Sequence, residues 1–282
     1  MYKAYQTKNG KQLNFETAQV MAIVNLTPDS FYDGGTLCSL SDILKTVEKK
    51  IQEGATIIDL GAASSKPNAE IVTVEEEIDR LRLPLLEIRK QFPDIFISVD
   101  TFHSQVAQFA IEEGADIIND ISGGEIDTKM IDLVAKYQIP YILMHMKGTP
   151  QTMQNNPHYD DVVKEVFNFF ISKIEKCKAL GFEKLIFDVG FGFGKTLEHN
   201  YQLLKNLNKF SDLGFPILAG LSRKSMINKV IQTTPQTSLN GTTVLNTIAL
   251  QNGATILRVH DVKETQQTID LLEFYKHTGN LS

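Results

Sequence analysis

The sequence predicts an α/β fold, a (β/α)8 TIM barrel whose active site lies at the C-terminal ends of the strands. Three observations lead there. Eight short apolar runs alternate with amphipathic helical stretches, the order in which parallel strands and covering helices build a barrel. Nearly every run ends on a residue able to bind a polar ligand. Three of the longest irregular segments follow strands, where barrel enzymes carry their working loops.

The first run, 20–24, ends at Asn25 and is followed by the irregular segment 27–40. A helix over 41–53 opens on a Ser cap and carries Ile43, Leu44, Val47 and Ile51 on one face. The run 56–58 ends at Asp59, and segment 61–73 leads to a helix over 74–91 with apolar residues at three and four spacings. Pro84 inside that pattern is expected to kink the helix or mark a join. The runs 95–99, 116–118, 140–144 and 185–187 end at Asp100, Asn119, His145 and Asp188. Helices over 103–112, 127–137, 160–180 and 197–207 follow them in turn, several closed by Gly. The run 215–219 leads into Gly220, Ser222 and Lys224, then helices over 224–231 and 242–251. The run 255–257 leads into Arg258 and His260, and a helix over 263–275 takes the eighth place. Segments 27–40, 61–73 and 146–159 exceed the ~2–6 residues usual for βα loops, which makes them candidate substrate lids.

At 282 residues, 42% hydrophobic and 22% charged, the chain can bury a full core, and one domain over 1–282 is expected. Lys and Arg total 28 against 34 for Asp and Glu, a net charge of -6 that argues against a nucleic-acid partner. Cys38 and Cys177 lie far apart with no Cys or His at metal spacing, so a disulfide framework or zinc site is not expected. No apolar run nears the ~18 residues of a membrane span, and the first residues lack the apolar core of a signal peptide. A cytoplasmic protein with no membrane partner is the expectation.

The segment 25–35, Asn-Leu-Thr-Pro-Asp-Ser-Phe-Tyr-Asp-Gly-Gly, reads as a turn and then an arm whose Phe31 and Tyr32 can stack on a flat ring. Asn25, at the strand end, is placed to offer a neutral oxygen to magnesium or to contact a phosphate. After the second strand, Ser64, Ser65 and Lys66 beside Pro67 supply hydroxyls and an ammonium suited to phosphate oxygens, or form an ordinary surface turn. Asp100, Asn119 and Asp188 each emerge from an apolar run, where a buried carboxylate needs a partner. Together they suit the amino-pyrimidinone edge of a pterin. The ordinary alternatives are a helix cap for Asp100 and an ion pair of Asp188 with Lys224 or Arg258.

Gly-Phe-Gly-Phe-Gly-Lys at 190–195 has neither Walker nor dinucleotide spacing, so it is not read as a nucleotide site. Its glycines are expected to let backbone approach a planar ligand, with Phe193 as a wall. Ser222 and Lys224 after the seventh strand, with Arg258 and His260 after the eighth, occupy the usual anion corner of a barrel. Phosphate or pyrophosphate is the natural guest there. Met144 reads as apolar floor and His145 as structural.

With these residues assembled, the chain resembles the dihydropteroate synthase family over about residues 20–270. Val-Asp-Thr at 99–101, Asn-Asp-Ile-Ser-Gly-Gly at 119–124, Asp-Val-Gly-Phe-Gly-Phe-Gly-Lys at 188–195, Ser-Arg-Lys at 222–224 and Arg-Val-His-Asp at 258–261 follow the 25–35 motif in the family's order. The resemblance implies condensation of 6-hydroxymethyl-7,8-dihydropterin pyrophosphate with 4-aminobenzoate, with magnesium as cofactor, in a homodimer joined through outer helices. Asp100, Asn119, Asp188 and Lys224 would bind the pterin, with Met144 and Phe193 lining its pocket. Asn25, Arg258 and His260 would hold pyrophosphate and its metal. Phe31, Ser65, Pro67, Ser222 and Lys224 would shape the aminobenzoate site, with Lys66 and Gly220 beside it. The chemistry would fall to Asp100, Lys224, Arg258 and His260. One loop departs from the family: Ala-Ser-Ser-Lys-Pro-Asn at 63–68 stands where Glu-Ser-Thr-Arg-Pro-Gly is usual. The hydroxyl and the charge remain, and the bidentate guanidinium fork is gone. Two other readings stay open, a non-catalytic pterin-binding paralogue and a methyl-tetrahydrofolate:corrinoid methyltransferase barrel.

Overall fold

Valine, isoleucine and leucine dominate the eight runs, and in the computed structural model, which describes residues 2–26, 39–63 and 72–279, those runs pair in parallel. They are β3 (Gln19–Asn25), β4 (Ile57–Gly61), β5 (Phe96–Asp100), β6 (Ile117–Asp120), β7 (Tyr141–Met144), β8 (Leu185–Asp188), β9 (Ile217–Ala219) and β10 (Ile256–Val259). Each pairs with the next in sequence, and β10 pairs back onto β3, which closes the barrel. The fold is the expected TIM barrel. With both faces of every strand buried, continuous apolar runs are what such a sheet requires.

The outer layer is α1 (Leu40–Gln52), α2 (Val74–Gln91), α3 (Ser104–Glu112), α4 (Met130–Tyr137), α5 (Val162–Ala179), α6 (Leu197–Lys205), α7 (Ser225–Ile231), α8 (Leu239–Gln251) and α9 (Val262–His277). The cap of α1 is Ser39, two residues earlier than the sequence indicates, because Ser39 and Asp42 form a reciprocal capping box. Pro84 does not break α2, which runs as one helix with Leu81, Leu85 and Ile88 buried beside it. Packing of that apolar face outweighs the one missing donor. The helix expected from 127 starts at Met130, since the Asp127 carboxylate accepts the N–H groups of Lys129 at 3.0 Å and Ser104 at 2.7 Å. None of the described helices is long and apolar enough to cross a membrane.

The N-terminal segment supplies an element that the apolar runs did not reveal. Two-residue strands β1 (Tyr5–Gln6) and β2 (Gln12–Leu13) pair antiparallel around Asn9-Gly10, where Gly10 takes φ 81°. Tyr5, Leu13 and Phe15 from this hairpin join Met21, Ile57, Ile117, Ile142, Ile186, Leu218 and Ile256 in the lower barrel core. The hairpin plugs the N-terminal end of the barrel. Asp116 locks it there, accepting from Lys11 Nζ at 2.6 Å, from Asn9 Nδ2 at 3.3 Å, from the Ile97 N–H at 3.0 Å and from the Arg89 guanidinium. The opposite end of the strands remains for chemistry.

Candidate active site

Strand register brings the expected polar residues to one mouth. Asn25 pairs with Gly61, Gly61 with Asp100, and Asp100 with Asn119, so these four positions follow one another on the inner face of adjacent strands near the mouth. Gly61 has no side chain, and a Cβ there would meet Asn25 Oδ1 at 3.6 Å and Asp100 Cβ at 3.8 Å. Asn25 and Asp100 therefore face a common space. Farther round, Met144 pairs with Asp188 on β7 and β8. Met144 is buried in an apolar cluster with Ile121, Met146 and Met153, against which Phe102 and Phe193 pack.

Arg258 enters the mouth from β10 and divides its guanidinium between two acids. Its Nε donates to Asp59 Oδ2 at 2.7 Å and its Nη2 to Asp100 Oδ2 at 2.7 Å. Asp59 Oδ2 also accepts from Asn119 Nδ2 at 3.3 Å. Asp59 was not among the expected site residues, and its contacts with Arg258 and Asn119 bring it into the group. The strand runs on to Gly61, which puts Asp59 two residues short of its end, paired with Ile23 and Ser98. A signal was present, since Asp59 closes an apolar run just as Asp100 does.

Neither ordinary alternative holds for the two strand-end acids. The N-cap of α3 is His103, with no side-chain cap, and Asp100 is turned to Arg258 instead. Asp188 Oδ1 accepts the Gly190 N–H at 2.8 Å, and among the described residues it makes no ion pair with Lys224 or Arg258. Burial holds the Asp100 carboxyl up at about 7, against the pull of Arg258 and with the Asp59 charge adding to the rise. Asp188 is raised too, by burial above all, with Lys224 opposing. Burial brings the Lys224 ammonium down to about 8, with Asp188 opposing. For Arg258 burial would lower the pKa, yet Asp59 and Asp100 hold the guanidinium charged above its ordinary range.

Lys224 Nζ donates to the Phe191 carbonyl and stands 4.8 Å from the centre of the Phe193 ring. Gly220 lies between Lys224 and Arg258, its open Cβ position 3.9 Å from Lys224 Nζ and 3.9 Å from Arg258 Cβ. Ser222 Oγ meets His260 Nδ1 at 3.1 Å and accepts the His260 N–H at 3.2 Å. The anion corner thus contains Ser222 and His260 side by side, while Arg258 points inward to the acids. Arg223, the middle residue of the Ser-Arg-Lys motif, is taken up by Asp261 at 2.6 and 2.9 Å. Phe31, Ser65, Lys66 and Pro67 lie outside the described residues.

The glycine-rich segment works differently from the expectation at two of its three glycines. A Cβ on Gly190 would stand 2.0 Å from the His145 carbonyl oxygen, and one on Gly194 2.5 Å from that of Lys147. These glycines let the loops after β7 and β8 pack backbone to backbone. Lys195, buried at 4% exposure, pins that contact by donating to the carbonyls of Phe193 at 2.9 Å, Gly190 at 3.0 Å and His145 at 3.1 Å. His145 faces outward against Tyr159 and Phe169, a structural position.

Two buried acids, an amide and an ammonium around an apolar floor can bind a flat heterocycle rich in N–H donors. A hydroxyl, an imidazole and a guanidinium beside them can take an anion. Relatives agree with this division. A model described as pterin binding enzyme matches residues 21–260. The chain is 45% identical to the dihydropteroate synthase of Haemophilus influenzae over 275 residues, covering 96% of this chain and 98% of that one. Among solved structures, dihydropteroate synthase of Xanthomonas albilineans with 4-aminobenzoic acid superposes with TM-score 0.91 at 36% identity, covering 99% and 100% of the two chains. The same enzyme in complex with 7,8-dihydropteroate gives TM-score 0.88 at 35% identity, covering 98% and 100%. With the fold, the mouth and the relatives in agreement, the chain belongs to the pterin-binding enzymes and, within them, to the dihydropteroate synthase family.

Proposed function

We propose that the mouth binds 6-hydroxymethyl-7,8-dihydropterin pyrophosphate through Asp100, Asn119, Asp188 and Lys224 and joins its methylene carbon to the amine of 4-aminobenzoate. The observation that carries this reading is the meeting of Arg258 with Asp59 and Asp100 at 2.7 Å, which puts acids and a cation together at the barrel mouth. The methylene C–O bond breaks and pyrophosphate leaves with its electron pair. The amine then forms the new C–N bond and loses a proton, giving 7,8-dihydropteroate. Positive charge that develops on the pterin is stabilised by the nearby carboxylates, which need no reorganisation when it appears. Arg258, His260 and Ser222 hold the diphosphate, and Met144 and Phe193 line the ring's pocket and keep water from it.

Magnesium fits this donor set as an ion shared with substrate. Asn25 offers one neutral oxygen, and among the described residues no three His, Cys, Asp or Glu gather as a metal site. One or two protein oxygens suffice when phosphates and waters complete the shell. When bound, the ion would neutralise charge on the leaving diphosphate. A homodimer through the outer helices belongs to the same proposal, supported by exposed Leu271, Phe274 and Tyr275 on α9 and Val230 and Ile231 on α7.

Pyrophosphate release that depends on 4-aminobenzoate tests the reaction. A paralogue would bind pterin without release, and a corrinoid methyltransferase would not respond to the amine. His260→Ala is expected to weaken the pterin diphosphate about tenfold more than the bare pterin, since its ring stands at the anion corner. Equal losses in calorimetric titrations of the two ligands would remove His260 from the diphosphate site. Lys195→Met should weaken the bare pterin by roughly 10-fold, because buried carbonyls that position Phe193 lose their donor at about 1–3 kcal/mol each. Unchanged pterin affinity would show that the pin does not shape the pocket.

A further inference from the structure

We propose that Asp59 is a positioning residue for this reaction, taking a share of the Arg258 guanidinium so that Asp59, Asp100 and Arg258 together keep a net negative charge beside the substrate once Asp100 is ionised. The inference rests on the pterin reading above. Asp59 is fully buried, two residues before the end of β4, and the lower barrel core contains a cluster of apolar side chains. A carboxylate in such a place costs several kcal/mol of desolvation, so a purely structural role would have it fully paired. It is not: Oδ2 accepts from both Arg258 and Asn119, while Oδ1 has no partner among the described residues.

Charge counting shows what the second acid does. Two buried acids, Asp59 and Asp100, share the one guanidinium of Arg258. With Asp59 absent, Arg258 and Asp100 would neutralise one another and that pair would carry no excess charge. With Asp59 present, one negative charge remains beside the position where a cationic pterin forms. Asp59 also orients its neighbours. It fixes Arg258 through Nε and holds the Asn119 amide by its Nδ2, leaving Asn119 Oδ1 to face the ligand.

Asp59→Asn keeps the shape and an acceptor for Arg258 while removing the charge. In assays with magnesium and both substrates, kcat is expected to fall about tenfold or more, with KM for the pterin diphosphate unchanged or lower. Inorganic pyrophosphate with magnesium should bind Asp59→Asn about threefold or more tightly than the parent, because Arg258 carries less competing negative charge. Ser98→Ala, which alters the adjacent buried position on β5, should leave both readouts unchanged. If Asp59→Asn does not fold, Asp59→Ser retains an acceptor, admits a water and carries the same expectations. A kcat within twofold of the parent, or kcat and KM worsening together, overturns the assignment while the reaction stands. If the parent enzyme shows no release dependent on 4-aminobenzoate, the reaction reading falls, and pyrophosphate titration alone decides Asp59: no tightening overturns it.

Discussion

Arg258→Ala is expected to reduce kcat/KM by about 10²–10³ and to destabilise the fold at the same time. The first effect follows from losing a fixed cation where negative charge departs. The second follows from the structure, where Arg258 is the shared partner of Asp59, which is fully buried, and Asp100. Removing one member of a buried ion pair typically costs about 3–5 kcal/mol, because the remaining charge is uncompensated. For a chain of this size that corresponds to a drop in Tm of roughly 5–10 °C. The deficit should grow as pH rises through about 7. The parent's Asp100 already holds its proton up to about 7, against 3.8 in the unfolded chain; without Arg258, whose charge lowers it, the folded variant holds that proton to still higher pH and goes on losing stability where the parent has stopped. Thermal melts between pH 5 and pH 8 check this, and a deficit that shrinks with pH would contradict the shared ion pair. Because the same change disturbs Asp100, binding of bare pterin should suffer as well. His260→Ala is therefore the cleaner probe of the diphosphate.

The other large effect lies at the opposite end of the barrel. Asp116→Ala should cost about 3–5 kcal/mol in urea unfolding while kcat of the folded enzyme changes less than about twofold. Asp116 has no exposed surface, and its two oxygens gather Lys11, Arg89, Asn9 and the Ile97 N–H. Truncation strands two cations under the hairpin plug and releases β1 and β2 from the strands above. Activity is expected to survive because the mouth is formed at the far ends of those strands, with the packed lower core between. A fall in kcat with unchanged stability would reverse this division.

The barrel was legible because each strand is short, apolar and bounded, and parallel pairing buries both faces. The polar residues ending those runs were legible for the same reason: a carboxylate or amide after an apolar run has to emerge at the strand's C-terminal end. Asp100, Asn119 and Asp188 all do so. The place of Asp59, which also ends an apolar run, was not legible because such a run does not state where pairing stops. Two further residues in β4 moved it from the rim into the barrel. The N-terminal hairpin escaped notice because two-residue strands carry almost no periodicity, and Asn9-Gly10 was its main trace.

Sequence alone determined the eightfold alternation of strand and helix, the end of the barrel at which chemistry occurs, and the residue types available there. Only the tertiary structure decided which of those residues share charge. Arg258 and Asp59 are joined by a bond that spans 199 positions of chain, and Arg258 and Asp100 by one that spans 158. Such contacts depend on barrel closure and on strand register, which place side chains by layer whatever their distance along the chain. Composition and local pattern carry no record of that register.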